Sequence, residues 1–284
     1  MSDDKSAVWS ITQQQRLKQL GSDDELLQRE FSSTAERDRV YQDVEKKLVK
    51  EAKTDLEKLL TAGGRTVLDE LCNRVSDSLI AEGFVKVQTS TVISAKALEK
   101  MTITMDHPLH KQVFWIDKKK CLRPMLAPSL YSLMQDFSRL KQRPIRFFEI
   151  GSCFRKESDG ASHSSEFTML NLVEMGLPEE ERETRLRELG SLVMKSAGFS
   201  SFKFELEESE VYGTTVDMVG GPHDVEIASG AMGPHPLDHE WGIHDTWVGF
   251  GIGMERLLML LNDGDSIGRW SKNSSYLNGI YLKI

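Results

Sequence analysis

An arginine stands at the end of one predicted strand, and a phenylalanine opens the next one. Arg155 follows the strand predicted over 145–154, and Phe167 begins the strand predicted over 167–175. A guanidinium group can bind two phosphate oxygens with its planar fork, and a phenyl ring offers a flat face for a purine. Glu157, in the connecting loop, could accept a hydrogen bond from an exocyclic amine. Taken alone, such a loop is more often an ordinary hairpin with a surface ion pair, so both interpretations stay open.

Glycines alternate along a second predicted strand, in the sequence GFGIGMER over 249–256. Alternating glycines leave one face of a strand without side chains, so a planar ligand can approach the backbone there. Arg256, in the first turn of the following helix, would lie beside that face. The spacing is not that of a dinucleotide fingerprint, and no Walker sequence follows. Close packing between strands would explain the same glycines, so a ligand site and a packing role both stay open.

Two carboxylates and a hydroxyl lie close together on a third predicted strand. Asp224 and Glu226 share one face because side chains alternate along a strand, and Ser229 follows just beyond. Oxygen ligands of this kind suit Mg²⁺ that is held partly by the phosphates of a substrate. Without the other two motifs, a polar outward face would be the better interpretation.

The histidines and cysteines do not predict a metal site of their own. The pair His107 and His110 and the trio His235, His239 and His244 lack cysteine or carboxylate partners at zinc spacing. We therefore expect surface or hydrogen-bonding histidines. The three cysteines are widely spaced and form no CxxC pair, which excludes a disulfide framework and a thiolate zinc site.

The elements that must position these residues follow from the periodicity of apolar side chains. Helical spacing predicts helices over 11–20, 23–31, 34–63, 67–79, 128–140, 179–197 and 254–262. Alternation predicts strands over 84–93, 113–117, 121–125, 145–154, 167–175, 202–206, 214–219, 224–232 and 246–253. Most of these strands are separated by turns of hairpin length, which indicates an α+β protein with an antiparallel sheet and helices packed on it.

Composition excludes several classes of protein. The 284 residues include 36 basic and 44 acidic side chains, a net charge of −8, and 39% are hydrophobic. This content is enough for a sizeable core and excludes disorder throughout the chain. No apolar run approaches the roughly 18 to 20 residues of a membrane helix, and the N-terminus is too polar for a secretory signal, so we expect a cytoplasmic protein. The acidic total argues against nucleic acid, but basic clusters over 46–53, 118–120 and 139–146 could still bind its phosphates.

Taken in order, the arginine loop and the glycine strand resemble motifs 2 and 3 of the class II aminoacyl-tRNA synthetases. Six segments are similar to the catalytic domain of the pyrrolysyl-tRNA synthetase family: 122–134, 148–160, 166–176, 211–217, 229–234 and 247–259. The resemblance extends over about residues 11–279. It implies the class II synthetase fold, an antiparallel β-sheet flanked by helices, with a helical, tRNA-contacting N-terminal lobe over 1–63 and a catalytic core over 64–284.

The resemblance implies a site for ATP and Mg²⁺. The residues it assigns to ATP are Arg155, Glu157, His163, Ser164, Phe167, Glu226, Ile227, Ser229, Gly253 and Arg256. Arg155, Arg256 and Glu226 are the catalytic residues in this set, and Glu226 and Ser229 would hold Mg²⁺ with the ATP phosphates. The carboxylate of the amino acid would attack the α-phosphate, and the resulting adenylate would pass its acyl group to the tRNA.

The resemblance also implies a pocket for pyrrolysine, whose acylated lysine chain is long. The residues it assigns to the amino acid are Ala127, Leu130, Tyr131, Met134, Asn171, Val173, Tyr212, Ser229, Trp247 and Gly249. Asn171 would bind the side-chain amide carbonyl, and Tyr212 would lie on a mobile loop over the ring.

The implied partners are tRNA(Pyl), a second copy of the chain in a homodimer, and no membrane. No separate tRNA-binding domain precedes the predicted helices, so we expect either a separate tRNA-binding protein or an enzyme that works without one. Two alternatives stay open: a class II synthetase for a large aromatic amino acid, because the pocket residues are apolar, and a catalytically silent, synthetase-like binding protein.

Overall fold

The computed structural model of the protein describes residues 7–156, 164–209, 211–264 and 266–284. The chain forms two compact units. The core unit is Val67–Lys272, and the terminal unit joins the chain up to Thr66 with Asn273–Ile284. The N-terminal boundary that we predicted after residue 63 lies near the start of the core unit, whereas 273–284, which we placed in the core, cluster with the terminal unit. None of the helices in the described ranges has the length and apolarity needed to cross a membrane.

The helices of the terminal unit begin at capping side chains. They are α1 (Ile11–Gln19), α2 (Asp24–Leu27) and α3 (Thr34–Ala62). The side chains of Ser10, Asp23 and Ser33 each accept a hydrogen bond from a backbone N–H in the first turn, which satisfies a donor that the helix itself cannot pair. The predicted helices over 11–20 and 34–63 are therefore confirmed.

The helix predicted over 23–31 is shorter than expected, because part of it is a strand. Helix α2 ends at Leu27, and Glu30–Phe31 forms strand β2, which pairs antiparallel with β1 (Ala7–Val8). The ring of Phe31 is buried and lies 4.4 Å from the ring of Trp9, edge to face. This packing between distant residues overrides the local helical periodicity.

The C-terminal segment is a small hairpin of the terminal unit. Its strands are Tyr276–Leu277 and Ile280–Tyr281, which pair antiparallel. Arg16 of α1 donates a hydrogen bond to the carbonyl of Lys283 at 2.9 Å, and its guanidinium lies 5.6 Å from the ring centre of Tyr281. These contacts explain why 273–284 belong to this unit.

The core unit is built on a sheet with helices on both faces. Its strands are β3 (Val85–Lys86), β4 (Val92–Ser94), β5 (Lys120–Leu122), β6 (Ile145–Phe154), β7 (Glu166–Met175), β8 (Phe202–Ser209), β9 (Gly213–Gly220), β10 (Val225–Gly233) and β11 (Trp247–Gly253). Its α-helices are α4 (Val67–Ala81), α5 (Ala95–Glu99), α6 (Pro108–Gln112), α7 (Ala127–Phe137), α8 (Arg182–Ala197), α9 (Asp238–Trp241) and α10 (Met254–Leu261). Short 3-10 helices cover Glu179–Glu181 and Ile267–Arg269.

Seven strands of the described chain form one sheet, in the order β3-β6-β7-β11-β10-β9-β8. Neighbouring strands run antiparallel, except that β3 and β6 are parallel. Strands that follow each other closely in the chain lie side by side, as hairpin-length connections require. The predicted α+β fold with an antiparallel sheet and flanking helices is confirmed.

Alternation along β11 separates the two faces of this sheet. Val248, Phe250 and Ile252 are buried in a core that also contains apolar side chains of α4, α8 and α10. Trp247 points to the opposite face and is buried with α7, and the glycines of β11 open onto that same face. One face of the sheet is therefore filled by helices, and the other is left partly open beside α7.

Two sequence predictions were wrong near the edge of the sheet. The strand expected over 84–93 is split into β3 and β4, and the hairpin expected between 113–117 and 121–125 is absent from the described chain except for a single bridge, Trp115 to Cys121. Strand β5 pairs with β4 instead. The chain leaves the sheet between β3 and β4 because the Thr89 side chain and N–H turn inward to bind Glu149.

A buried ion pair holds this region together. Arg123 Nη1 lies 2.7 Å from Glu149 Oε1, and the two side chains are only 4% and 2% exposed. Arg123 Nε donates to the carbonyl of Ser152 at 2.7 Å, and the hydroxyl of Thr89 donates to Glu149 Oε2 at 2.6 Å. Both charges therefore have the partners that burial demands.

We expect Glu149→Gln to lower the free energy of unfolding by about 1 to 3 kcal/mol, because a buried hydrogen bond to a charged group is lost and Arg123 keeps an uncompensated charge. Urea unfolding measures this change. The matched control is Glu183→Gln, since Glu183 also pairs with an arginine at 2.8 Å but is 58% exposed. The control should change stability by less than about 1 kcal/mol. Equal effects of the two substitutions would contradict the role of burial.

Candidate active site

A cavity of about 640 Å³ opens on the face of the sheet beside α7. The predicted site residues that line it are Ala127, Leu130, Tyr131, Met134, Arg155, Ser164, Phe167, Asn171, Val173, Tyr212, Glu226, Ile227, Ser229, Trp247, Gly249, Gly253 and Arg256. Glu157 and His163 lie outside the described residues. The structure thus brings the predicted nucleotide residues and the predicted amino-acid residues into one cavity, although their roles stay predictions.

Arg155 and Phe167 contact each other at one end of the cavity. Arg155 follows β6 directly, and the Arg155 guanidinium carbon lies 5.2 Å from the ring centre of Phe167 on β7. Arg155 Nε also donates to the carbonyl of Pro124 at 2.9 Å. The backbone of Arg155 is fixed by a hydrogen bond from its N–H to the carbonyl of Ser165. A guanidinium and a flat ring are therefore presented together, as a nucleotide site would need.

Arg256 lies beside the glycine strand, in the first turn of α10. Its Nη1 donates to the carbonyl of Glu226 at 2.6 Å and lies 3.5 Å from the Glu226 carboxylate. The Arg256 side chain is 29% exposed, and that of Glu226 is 56% exposed. The arginine is thus held from one side by β10 and keeps a surface towards the cavity.

The glycines of β11 form the floor between β7 and β10. In the sheet register Gly251 lies between Asn171 and Ser229, and Gly249 lies between Val173 and Ala231. A Cβ atom on Gly249 would lie 2.8 Å from the Leu172 carbonyl oxygen, and one on Gly251 would lie 3.4 Å from Asn171 Nδ2. Both interpretations of the glycine pattern therefore apply. Gly249 permits close strand packing, and Gly251 leaves room beside two polar side chains.

Ser229 has a buried partner that the sequence analysis missed. Its hydroxyl donates to Asp217 Oδ1 at 2.7 Å, and Asp217 is 6% exposed. A hydroxyl that donates its proton in this way keeps its lone pairs for a cation. The pairing of Ser229 with Asp217 follows from the register of β9 and β10, which the spacing within each strand does not reveal.

The residues proposed for Mg²⁺ fit an ion that is carried by a nucleotide. Glu226 and Ser229 offer a carboxylate and a hydroxyl oxygen on the same cavity wall. Across the described residues, no group of three or more His, Cys, Asp and Glu side chains could hold a metal by itself. Mg²⁺ is usually bound by one or two protein ligands, with phosphates and water completing its shell. These two oxygens suit that arrangement.

The other end of the cavity is apolar and buried. Leu130, Tyr131 and Met134 of α7 face Val173 and Trp247 of the sheet, and all five are at most 6% exposed. The rings of Tyr131 and Trp247 are 5.8 Å apart and edge to face. This wall excludes water and would favour a long apolar side chain.

Asn171 is the polar exception in this apolar surround. Its Oδ1 atom is buried, and none of the described residues forms a hydrogen bond with it. A buried amide oxygen without a partner costs free energy, so its presence in a cavity indicates a ligand that completes it.

A turn behind the cavity holds two of its walls and was also missed. Asp238 Oδ2 accepts hydrogen bonds from Trp247 Nε1 at 2.9 Å and from the N–H of His235 at 2.7 Å. His235 Nε2 lies 2.8 Å from the carbonyl of Tyr212. Burial raises the pKa of Asp238 and of the tyrosines Tyr131 and Tyr212. His235 fits the expectation of a hydrogen-bonding histidine, but nothing in the spacing of these residues predicts that they meet.

Glu255, next to Arg256, joins α10 to β7. Both of its carboxylate oxygens accept a hydrogen bond from the N–H of Thr168 at 2.8 Å, and the residue is 2% exposed. Burial raises the pKa of Glu255. Thr168 follows Phe167 directly, so this contact fixes the start of β7 relative to the helix that carries Arg256.

The cysteines do not take part as nucleophiles. Burial raises the pKa of Cys153 and Cys72 to about 12 and that of Cys121 to about 11. These thiols stay protonated near neutral pH, and a protonated thiol is a poor nucleophile and a poor metal ligand. The interpretation of Cys153 as a small buried hydrophobe agrees with this.

Comparisons with known proteins place these features in a family. The family model described as "tRNA synthetases class II core domain (F)" matches residues 52–276. The crystal structure of pyrrolysyl-tRNA synthetase from Desulfitobacterium hafniense is similar, with a TM-score of 0.92, 49% identity, and coverage of 99% of this chain and 100% of that one. A second structure of that enzyme has a TM-score of 0.90, again at 49% identity, and covers 98% and 99% of the two chains.

Curated relatives are more distant and longer. The phenylalanine–tRNA ligase alpha subunit of Mycoplasma pneumoniae is 27% identical over 109 residues, which cover 38% of this chain and 31% of that protein. The ATP phosphoribosyltransferase regulatory subunit of Ruminiclostridium cellulolyticum is 23% identical over 147 residues, covering 50% and 34%. The matched part of the chain spans about a third of the length of these relatives.

Proposed function

The chain belongs to the class II tRNA synthetases, in the family of pyrrolysyl-tRNA synthetases, and we propose that it activates pyrrolysine with ATP and transfers it to tRNA(Pyl). A related Nε-acylated lysine is the nearest other substrate. The observation that carries the proposal is the single cavity, in which an arginine-lined end adjoins a buried apolar end with one unpaired amide. Such a cavity suits a nucleotide and a long side chain bound together.

The nucleotide end would bind ATP through Arg155, Phe167 and Arg256. The carboxylate oxygen of the amino acid attacks the α-phosphorus, and the bond from that phosphorus to the bridging oxygen of pyrophosphate breaks. Negative charge builds up on the phosphate oxygens during this step, and two fixed guanidinium groups would stabilise it more in the transition state than in the ground state. The products are an aminoacyl-adenylate and pyrophosphate, and no side chain has to form a covalent intermediate.

Glu226 and Ser229 are the residues that would hold Mg²⁺ with the ATP phosphates. The ion would supply positive charge that neutralises the phosphate oxygens. Asp217 would orient the hydroxyl of Ser229 through the hydrogen bond between them, and Arg256 would keep Glu226 close through its contact with that residue.

The apolar end would select an acylated lysine. Asn171 would hydrogen-bond the amide of the substrate side chain, while Leu130, Met134 and Trp247 enclose its methylene groups. Free lysine would have to bury its ammonium group among apolar side chains without a partner, which is unfavourable by several kcal/mol, of the order of 2 to 5. The same wall would reject small amino acids, since they leave the cavity unfilled.

The terminal unit would contact the tRNA. Helix α3 exposes Lys46, Lys47, Lys50 and Lys53, and a row of ammonium groups can bind phosphates although the whole chain is acidic. We also propose that the enzyme acts as a homodimer. A separate tRNA-binding protein would add contacts to the same tRNA.

Amino-acid-dependent exchange of pyrophosphate into ATP tests the proposal. We expect exchange with pyrrolysine and with Nε-acylated lysine, and none with free lysine, phenylalanine or tyrosine. Exchange with phenylalanine alone would favour a synthetase for an aromatic amino acid, the alternative that the similarity to a phenylalanine–tRNA ligase subunit supports. No exchange with any of these amino acids would refute both enzymes and favour a silent binding protein.

A further inference from the structure

The turn over 235–238 connects two walls of the apolar end, although it does not line the cavity itself. Tyr212, on one wall, lies in the connection between β8 and β9, where the hydroxyl of Ser209 accepts hydrogen bonds from the N–H groups of Val211 and Tyr212 at 3.3 Å each. Trp247, on another wall, begins β11. The turn contacts both residues, so it can set the distance between them.

His235 has a defined tautomer in this turn. Its Nδ1 accepts a hydrogen bond from the N–H of Leu237 at 3.2 Å, so Nδ1 carries a lone pair. The ring proton therefore lies on Nε2, which donates to the carbonyl of Tyr212 at 2.8 Å. The rings of His235 and Tyr212 also pack edge to face, with centroids 5.6 Å apart.

Asp238 links the same turn to the other wall. One carboxylate oxygen, Oδ2, accepts hydrogen bonds from the N–H of His235 and from Trp247 Nε1. Asp238 is 3% exposed, and the N–H of Asp238 donates back to the carbonyl of His235 at 2.9 Å. The turn is thus fixed at Trp247 by a carboxylate and reaches Tyr212 by a single imidazole N–H.

We propose that His235 is a positioning residue that holds Tyr212 over the apolar end of the cavity and so determines how well the enzyme binds a long amino-acid side chain. This inference rests on the proposed function, since it gives the apolar end to the amino acid. It assigns His235 no contact with the substrate. Its effect should fall on the amino acid and not on ATP, because Arg155 and Arg256 lie at the other end of the cavity.

Two amide variants separate the roles of the two ring nitrogens. In His235→Asn, the side-chain oxygen can replace Nδ1 as acceptor for Leu237, but the side chain is too short to reach Tyr212. In His235→Gln, the longer side chain can replace Nε2 as donor to Tyr212, but its oxygen is displaced from Leu237. Both substitutions replace the ring with a neutral amide, so they are matched in polarity.

Steady-state pyrophosphate exchange and thermal unfolding are measured on both variants and the unaltered chain. We expect His235→Asn to raise KM for pyrrolysine about fivefold to tenfold, the effect of losing one buried hydrogen bond, while kcat and KM for ATP change less than about twofold. His235→Gln should keep KM for pyrrolysine within about twofold of the unaltered chain but have the lower Tm, because it loses the turn contact. Deuterium uptake by the peptide over 209–214 should rise in His235→Asn only.

The order of the two variants decides the proposal. A merely structural role would make KM follow Tm, so His235→Gln would be the worse variant in both measurements, and that result would overturn it. An unchanged KM in His235→Asn would also overturn it. If the unaltered chain exchanges with phenylalanine and not with pyrrolysine, the proposed substrate is wrong, and the same comparison with phenylalanine tests His235 separately.

Discussion

Replacing Arg256 with alanine should lower amino-acid-dependent pyrophosphate exchange by about a thousandfold while the protein stays folded. The guanidinium lies beside the glycine strand, held by the carbonyl of Glu226 at 2.6 Å, and would stabilise charge on phosphate oxygens as they separate. Removing one such charged donor from a transition state typically costs a factor of about 10² to 10³ in rate. Stability should change little, because the side chain is 29% exposed and its ion pair with Glu226 is long, at 3.5 Å.

The control for this substitution is Arg187→Ala. Arg187 is a comparably exposed arginine of the core unit that pairs with Glu183 and stacks on Phe204, but it does not line the cavity. Its removal should leave exchange within about twofold, since surface ion pairs contribute little. Arg256→Lys adds a second comparison, because it keeps the charge and loses the planar fork, so its rate should lie between those of the unaltered chain and the alanine variant. Near-normal exchange in Arg256→Ala would refute the assignment of this arginine to the nucleotide.

The parts of the fold that could be predicted are those whose signal is local. Strands β6 and β7 are long and apolar, α3 has a regular helical stripe after a capping serine, and both appear where the sequence places them. The glycines of β11 announce their strand as well, since few other uses explain three alternating glycines before a helix. In each case one continuous segment contains the whole pattern.

The predictions that failed depend on distant partners. Residues 84–93 alternate like one strand, but Thr89 turns towards Glu149, which is sixty residues away in the chain. Residues 23–31 have helical spacing, but Phe31 is buried against Trp9 and pairs there as a strand. Local propensity is weaker than such burial, so the segment adopts the conformation that its partner allows.

The same distinction separates the predicted and the missed parts of the site. Residues that line the cavity could be found because motifs and resemblance mark them, and the described ones all lie there. Asp217 and Asp238 could not be found, because each acts on a cavity residue through the register of the sheet or through a turn. Such supporting residues carry no spacing signal, since what matters is their position in space and not their separation in sequence.

Asn171→Ala should reduce kcat/KM for pyrrolysine about a hundredfold, the second large effect that we expect. The lost amide group would otherwise pair with the amide of the substrate side chain, which on its removal is buried without a partner at a cost of about 1 to 3 kcal/mol. The preference for acylated lysine over phenylalanine should therefore decrease. Exchange kinetics with the two amino acids measure this change as a ratio of kcat/KM values.

The unpaired oxygen of Asn171 makes this test unusually specific. Because Asn171 Oδ1 is buried without a partner in the described structure, its removal should not lower the Tm of the protein without substrate, whereas truncating a side chain that held the fold together would. Asn171→Asp keeps the shape of the side chain but loses the amide donor and adds a buried charge, so it should lose pyrrolysine activity to at least the same extent. Asn262→Ala is the matched control, since Asn262 bonds only to the carbonyl of Leu258 among the described contacts and lies outside the cavity. If Asn171→Ala keeps its preference for acylated lysine, the amide is not what recognises the substrate, and the selectivity must then come from the shape of the apolar wall alone.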